Sequence, residues 1–171
     1  MFELLKFDHK HIKDLQELLC MTFDAERKYF ETAERVQIAE FSRFLYLQSI
    51  QRNQLSNKLI AVFAENNIVP NMTYINKSKN QISGLELKRI LEDKKYTIYI
   101  KECMKLDNSL IQLCKKLLKN DKLSASILDV ITKELNFLIL HTFKIYELIN
   151  KYSSQGINYN NESLNSNRRM M

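Results

Sequence analysis

Glycine and proline are almost absent from this chain, and their shortage constrains the fold more than any other feature of the sequence. Among 171 residues there are only 2 glycines and 1 proline. Because these residues end helices and form tight turns, a chain that lacks them favours long uninterrupted helices. With 45% hydrophobic residues, the chain is long enough for one domain with its own core. The sequence therefore predicts an all-α fold.

The spacing of apolar residues predicts four long helices, since such residues recur every three or four positions. The predicted helices cover about residues 9 to 34, 38 to 66, 95 to 119 and 125 to 151. The third begins with YTIYI, which alternates like a strand, but its continuation has helical spacing. Four amphipathic helices of this length bury their apolar faces as a four-helix bundle.

Polar sequence marks the helix ends and one long connection. Asp8 is predicted to cap the first helix, and either Ser124 or Ser126 the fourth. The connection between helices 2 and 3 is polar from residue 67 to 82, and a short capped helix is predicted at 83 to 93. The predicted architecture is two helical hairpins joined by a crossover.

The composition changes after residue 152. From Ser153 the sequence SSQGINYNNESLNSNRRMM is rich in Asn and Ser and offers almost nothing to bury. The entropy lost by ordering such a segment is not compensated by burial. Residues 1 to 152 are therefore predicted to form the bundle, and residues 153 to 171 a disordered tail.

Charge and cysteine content argue against several classes of protein. The net charge is +6, but basic and acidic residues alternate along most of the chain, which favours a solvated surface over a nucleic-acid interface. No stretch reaches the roughly 20 apolar residues of a membrane span. Three cysteines without a CxxC pair are typical of reduced thiols, so a cytoplasmic location is predicted. No catalytic triad, phosphate-binding glycine loop or zinc spacing is legible, so no conventional enzyme class is indicated.

Each predicted helix carries polar residues in the middle of its apolar face. They are Glu26 in helix 1, Gln48 and Arg52 in helix 2, Asp107 in helix 3, and Glu134 and His141 in helix 4. Counting from the loops places these residues in one central layer if helix 3 runs parallel to helix 2. Such a buried layer is costly unless its members pair with one another or bind a metal.

Two arrangements of this polar layer are open. In the first, Glu26 and Arg52 form a buried ion pair in a polar core with Gln48, and His141 lies in or beside that core. In the second, the layer binds a divalent metal through ligands drawn from Glu26, Asp107, Glu134 and His141. Arg52 argues against the second arrangement, because a cation in the layer competes with a metal ion.

Three segments resemble an uncharacterised bacterial family of ferritin-like proteins, domain of unknown function 2383. They are FDAERKYFETAERV (23 to 36), FLYLQSIQRNQLSNKL (44 to 59) and ECMKLDNSLIQL (102 to 113). The resemblance spans about residues 8 to 150, and its matching positions include Asp24, Tyr29, Glu31, Ala33, Glu34, Arg52, Gln54, Glu102, Cys103 and Asp107. It implies a ferritin-like four-helix bundle with a crossover between helices 2 and 3.

Departures from the pattern of ferritin-like families bear on function. Such families usually carry Glu at the positions of Phe30 and Gln51, so two carboxylates that would bind metal are missing. The resemblance brings no established activity with it. We therefore expect a metal-free structural, stress-related or partner-binding module, without a cofactor or enzymatic activity, that binds an unknown protein partner or self-associates. The alternative is a ferritin-like iron-binding protein or di-metal oxidoreductase with a degenerate site, which would hold iron or another divalent metal.

Overall fold

The computed structural model describes the backbone of residues 9–71, 73 and 96–168, and the side chains of residues 11–71, 73 and 99–152. Within these ranges the chain forms four α-helices and no strand. The helices are α1 (His9–Arg35), α2 (Ala39–Glu65), α3 (Tyr96–Leu118) and α4 (Ala125–Arg168). The predicted all-α fold with four long helices is confirmed, and each helix begins within one residue of its predicted start.

The C-terminal end of α4 differs from the sequence prediction. The backbone is helical through Arg168, whereas the Asn/Ser-rich composition indicated an irregular tail after residue 152. A helix satisfies its backbone hydrogen bonds locally, so it can extend past the residues that a core covers. The division at residue 152 and the disorder of residues 153 to 171 stay predictions.

The start of α4 resolves one of the capping alternatives. The Oγ of Ser124 accepts a hydrogen bond from the backbone N–H of Ile127 at 3.4 Å. Since α4 begins at Ala125, Ser124 and not Ser126 is the N-cap residue. The predicted cap at Asp8 and the short helix at 83 to 93 lie outside the described residues.

The end of α2 is a Schellman turn that the sequence encodes through an asparagine. Asn67 has a positive φ of 57°, which asparagine tolerates better than most residues. The N–H of Asn67 donates to the carbonyl of Ala64 at 3.1 Å, and that of Ile68 to Phe63 at 2.8 Å. Ile68 and Phe63 are both buried, so an apolar contact accompanies the turn.

The first two helices form an antiparallel hairpin. Only residues 36 to 38 separate α1 from α2. Near this turn, the hydroxyl of Ser42 donates a hydrogen bond to the carbonyl of Ala33 at 2.7 Å. The predicted pairing of helices 1 and 2 is therefore present.

The third helix also runs antiparallel to α1. Near the start of α1, Asp14 forms an ion pair with Lys116 near the end of α3, with 3.1 Å between nitrogen and oxygen. Near the end of α1, Thr32 contacts Cys103 in the first half of α3, with 3.4 Å between Oγ1 and Sγ. Because α2 and α3 each oppose α1, they run in the same direction, as a shared polar layer requires.

The chain divides into two compact units, one up to Leu138 and the other from Ile139 onward. In the first unit all four helices contribute to one hydrophobic core, with fully buried leucine and isoleucine side chains such as Leu19, Leu59, Leu110 and Ile131. In the second unit, Ile145 and Leu148 are buried. Among the described residues, no helix combines the length and the apolar character that crossing a membrane requires.

Candidate functional site

Arg52 is a fully buried cation in the middle of α2. Its side chain is 0% exposed. Leu45 and Leu59, seven residues to either side, are also buried, so the helical period directs the arginine into the core. A charge in this position is stable only if other groups neutralise it and satisfy its hydrogen bonds.

Asp107 of α3 supplies the neutralising charge. Its Oδ2 atom accepts a hydrogen bond from Nη2 of Arg52 at 2.8 Å, and the carboxylate is only 1% exposed. Gln48, one turn before Arg52 on α2, accepts a second hydrogen bond from Nη1 through Oε1 at 2.5 Å. Burial by itself would lower the pKa of the Arg52 guanidinium, but the charge and hydrogen bond of Asp107 act together with Tyr29 and Glu134 to outweigh burial, and this pKa is raised. The guanidinium is therefore permanently charged.

Tyr29 of α1 completes the central network. Its hydroxyl donates a hydrogen bond to Oδ2 of Asp107, the same oxygen that binds Arg52. The Arg52 guanidinium carbon also lies 4.5 Å from the centre of the Tyr29 ring, at cation–π distance. Burial and the neighbouring charge of Asp107 raise the pKa of Tyr29 well above its usual value, so its hydroxyl stays protonated and acts as a donor. Tyr29, Gln48, Arg52 and Asp107 are called the central polar network below.

Cys103, the cysteine beside this network, is in an environment that makes its thiol unreactive. Cys103 lies one turn before Asp107 on α3, is fully buried and contacts the hydroxyl of Thr32. Burial raises the pKa of its thiol to about 12. Because the thiolate is the nucleophilic form, this environment argues against covalent catalysis by Cys103.

The predicted ion pair between Glu26 and Arg52 is wrong. Glu26 is half-buried, and its Oε1 accepts a hydrogen bond from Nδ2 of Asn53 at 3.0 Å. Arg52 binds Asp107 instead, and the residue of α1 that is directed towards the core is Tyr29, three residues after Glu26. Of the predicted polar core, Gln48 and Arg52 are buried and in contact, whereas Glu26 lies towards the surface.

Glu134 lies on α4, where the charges of Arg52 and Asp107 act on it, and its carboxyl group has a raised pKa. Burial raises its pKa to about 7, although the positive charges of Arg52 and Lys58 act to lower it. Its Oε1 atom is buried without a hydrogen-bond partner among the described residues. A buried acceptor without a partner costs about 1–3 kcal/mol.

A cavity of about 360 Å³ lies between α2 and α4 and includes Glu134 in its lining. This α2–α4 cavity is lined on the α2 side by Gln51, Gln54 and Lys58, and on the α4 side by Lys133, Glu134 and Phe137. Oε1 of Gln51 is a second buried acceptor without a partner in the described structure. The cavity therefore has both polar and apolar side chains in its lining.

Two further buried atoms of the central polar network lack a partner among the described residues. They are Nε of Arg52 and Oδ1 of Asp107. One is a donor and the other an acceptor.

Three of the predicted metal ligands, Glu26, Asp107 and Glu134, lie in the unit that ends at Leu138. Asp107 and Glu134 both act on the charge of Arg52, and Glu26 binds Asn53. His141 is half-buried and belongs to the unit that begins at Ile139. No group of three or more His, Cys, Asp or Glu residues with the geometry of a metal site occurs among the described residues. The metal-ligand hypothesis for these four residues stays a prediction.

Comparisons with known proteins identify no relative of this chain. No protein-family model matches it, and no curated protein or solved structure matches it at a significant level. The resemblance to a ferritin-like family therefore stays a prediction, and function must be argued from the site.

Sequence reasoning missed the role of Tyr29 and the pairing of Arg52 with Asp107. Tyr29 sits among several aromatic residues with helical spacing, which indicates core packing and not a hydrogen-bonding role. The one available signal was that Arg52 and Asp107 each interrupt an apolar stripe, so each needed a buried partner of opposite charge.

Proposed function

We propose that this chain is a metal-free helical-bundle module that acts by binding another protein surface. The observation that carries the proposal is the central polar network. Its cation, Arg52, is already neutralised by Asp107 and held by Gln48. The positive charge of Arg52 in the buried polar layer is thus neutralised by another residue of the same chain, Asp107.

The fixed charge of Arg52 opposes metal binding in this layer. A divalent ion near Asp107 would meet a guanidinium bound 2.8 Å from the same carboxylate. In a buried site this repulsion is weakly screened, so the ion would have to displace Arg52 or leave it unpaired. A side chain that is 0% exposed has no path to solvent without unpacking of the helices.

A patch of exposed apolar side chains on the α1–α2 hairpin supports a binding role. Leu47 is 53% exposed, Ile50 is 54% exposed, and Phe30 is 46% exposed. Phe30 packs edge to face against Tyr46, with 5.6 Å between ring centres. These four residues are called the α1–α2 patch below. Leu47 and Ile50 lie one helical turn apart on α2, and exposed apolar side chains grouped in this way mark protein interfaces.

The metal content of the purified protein tests this proposal. Iron, manganese and zinc should each be far below one ion per chain, and adding Mn²⁺, Fe²⁺ or Zn²⁺ should raise the melting temperature of the wild type no more than it raises that of Glu134→Gln. Near-stoichiometric metal, or a metal-dependent rise in melting temperature that Glu134→Gln abolishes, would overturn it.

The competing candidate is a ferritin-like metal protein with a degenerate site. Two buried carboxylate oxygens favour it, Oδ1 of Asp107 and Oε1 of Glu134, which lack hydrogen-bond partners among the described residues. Carboxylate oxygens are the ligands that hard divalent ions prefer. The experiment above separates the two candidates directly.

The ferritin-like crossover and the cytoplasmic location belong to the same proposal. The common direction of α2 and α3 supports a connection that returns along the bundle. Cys103 and Cys114 are buried free thiols in the folded chain, which supports a reducing compartment.

A further inference from the structure

A groove of about 660 Å³ runs along the surface between α1 and α3. Its lining residues on α3 recur every three or four positions from Lys101 to Lys116, so the groove follows one face of this helix. At 1.5 Å per residue, this face is about 22 Å long, which is about four helical turns. Glu17 and Met21, one turn apart, line the groove from α1. This groove is called the α1–α3 groove below.

The apolar part of the lining consists of Met21, Met104 and Leu113. Leu113 is buried, and the two methionines are half-buried. Methionine side chains are flexible and pack against apolar surfaces of different shapes, which suits grooves that bind amphipathic helices. An open groove four turns long therefore fits a helix better than a small molecule, which is usually enclosed by its site.

The charges along the α1–α3 groove are unevenly distributed. Its described lining contains three lysines, Lys101, Lys105 and Lys116, and one carboxylate, Glu17. Lys116 is bound to Asp14, with 3.1 Å between nitrogen and oxygen, and Glu17 lies one turn after Asp14 on α1. The end of the groove near Asp14 thus contains charges of both signs, and the excess of positive charge lies at the other end.

Lys101 and Lys105 carry this excess of positive charge. They lie one helical turn apart in the first half of α3, and both are exposed. Two neighbouring ammonium groups attract carboxylates that approach this end of the groove and repel cations. The complementary partner is apolar along its length and acidic at one end.

We propose that the α1–α3 groove binds an acidic amphipathic helix of another protein. The apolar face of that helix packs against Met21, Met104 and Leu113, and its carboxylates lie beside Lys101 and Lys105. The groove shares no residue with the α1–α2 patch. Failure of this site would therefore leave the metal content and the role of that patch unchanged, so the two proposals are tested separately.

Three helical peptides of about 16 residues, long enough to fill the groove, test the proposal. All carry Leu at every third or fourth position, and they differ only in the residues beside the leucines of the first two turns, which are Glu, Gln or Lys. Each is titrated into the full chain and followed through the amide resonances of Met104 and Leu113. The Glu peptide should bind about tenfold more tightly than the Gln peptide, and the Lys peptide should bind most weakly. Added salt should reduce these differences, because exposed charges are screened.

The double variant Lys101→Gln/Lys105→Gln tests the basic end of the groove. It should weaken binding of the Glu peptide about tenfold and remove the preference for Glu over Gln. Arg43→Gln/Lys58→Gln removes two positive charges from exposed positions of α2 outside the groove, so it should leave this preference unchanged. The melting temperatures of both variants show whether they fold as the wild type does.

Met104→Gln tests the apolar part of the lining. It should weaken binding of all three peptides by a similar factor, because each peptide loses the same apolar contact.

Other outcomes would overturn the proposal. Equal binding of the Glu and Lys peptides would show a groove without a preference for acidic partners, and an unchanged affinity in Lys101→Gln/Lys105→Gln would place the carboxylates elsewhere. Single-stranded DNA that binds as tightly as the Glu peptide, and loses affinity in the same variant, would show a site for polyanions in general. Absence of any resonance shift at millimolar peptide would show that the groove does not accept a helix.

Discussion

Arg52 on α2 and Asp107 on α3 form an ion pair with 2.8 Å between nitrogen and oxygen, and both side chains are almost completely shielded from solvent. The same Asp107 oxygen accepts the hydroxyl of Tyr29 from α1. One carboxylate oxygen thus connects three of the four helices. A contact of this kind fixes how the helices are rotated and aligned, whatever it contributes to net stability.

Breaking this ion pair from one side should be strongly destabilising. Arg52→Leu and Asp107→Leu should each lower the free energy of unfolding by about 3–5 kcal/mol, because each leaves an uncompensated buried charge. The double variant should recover a large part of the loss. Urea denaturation of the four proteins measures the coupling.

A surface pair provides the control for that cycle. Lys133 and Asp129 are 76% and 59% exposed, so their coupling should be below about 1 kcal/mol. Additive effects at Arg52 and Asp107, or a coupling no larger than that of the surface pair, would contradict the role assigned to the central polar network.

Removing the Tyr29 hydroxyl tests the third member of the network. Tyr29→Phe keeps the ring beside Arg52 but deletes the donor to Asp107, so it should cost about 1.5–3 kcal/mol, as expected for a hydrogen bond to a charged group. Tyr46→Phe, at a partly exposed position, should change stability by less than about 0.5 kcal/mol. Equal effects of the two substitutions in thermal or chemical denaturation would contradict the assignment.

The raised pKa of Glu134 makes stability depend on pH. In the folded chain the pKa is about 7 and the ordinary value is 4.5, so between these values the folded state binds more protons than the unfolded state. Stability linked to Glu134 is therefore complete below about pH 4.5 and is lost as the pH rises towards 7. The difference of about 2.5 units sets an upper limit of about 3 kcal/mol.

Glu134→Gln should remove this dependence. The variant should gain stability relative to the wild type between pH 5 and pH 8, whereas Glu147→Gln should follow the wild type throughout. Urea denaturation at four pH values across this range measures the effect. A constant difference between wild type and Glu134→Gln would show that Glu134 titrates alike in the folded and unfolded states.

The α1–α2 patch should control association. Leu47→Lys places a charge within the α1–α2 patch, so it should weaken self-association or partner binding without loss of melting temperature. Asn57→Lys adds the same charge at an exposed polar position of α2 and should have little effect. Sedimentation velocity over a range of protein concentrations distinguishes them. If both variants and the wild type associate equally, the interface does not include this patch.

The sequence by itself determined the helices. The starts at His9, Ala39, Tyr96 and Ala125 were predictable because helix formation depends on local features, namely the absence of breakers, the apolar period and the Ser124 cap. The sequence also showed that Arg52 and Asp107 interrupt apolar stripes and therefore need partners. The length of α4 was less predictable, because the Asn- and Ser-rich sequence after residue 152 has no apolar period that would indicate a helix.

Only the tertiary structure decided which polar residues meet. Glu26 and Tyr29 lie on neighbouring positions of the same side of α1, about 60° apart around the axis, and the apolar stripe is too broad to tell which of them points at Arg52. The rotation of α1 about its axis directs Tyr29 towards Arg52. The alignment of α3 brings Asp107 within hydrogen-bonding distance of both residues. Such pairing depends on shifts of less than one helical residue, which the packing of all the helices together sets and the local sequence does not.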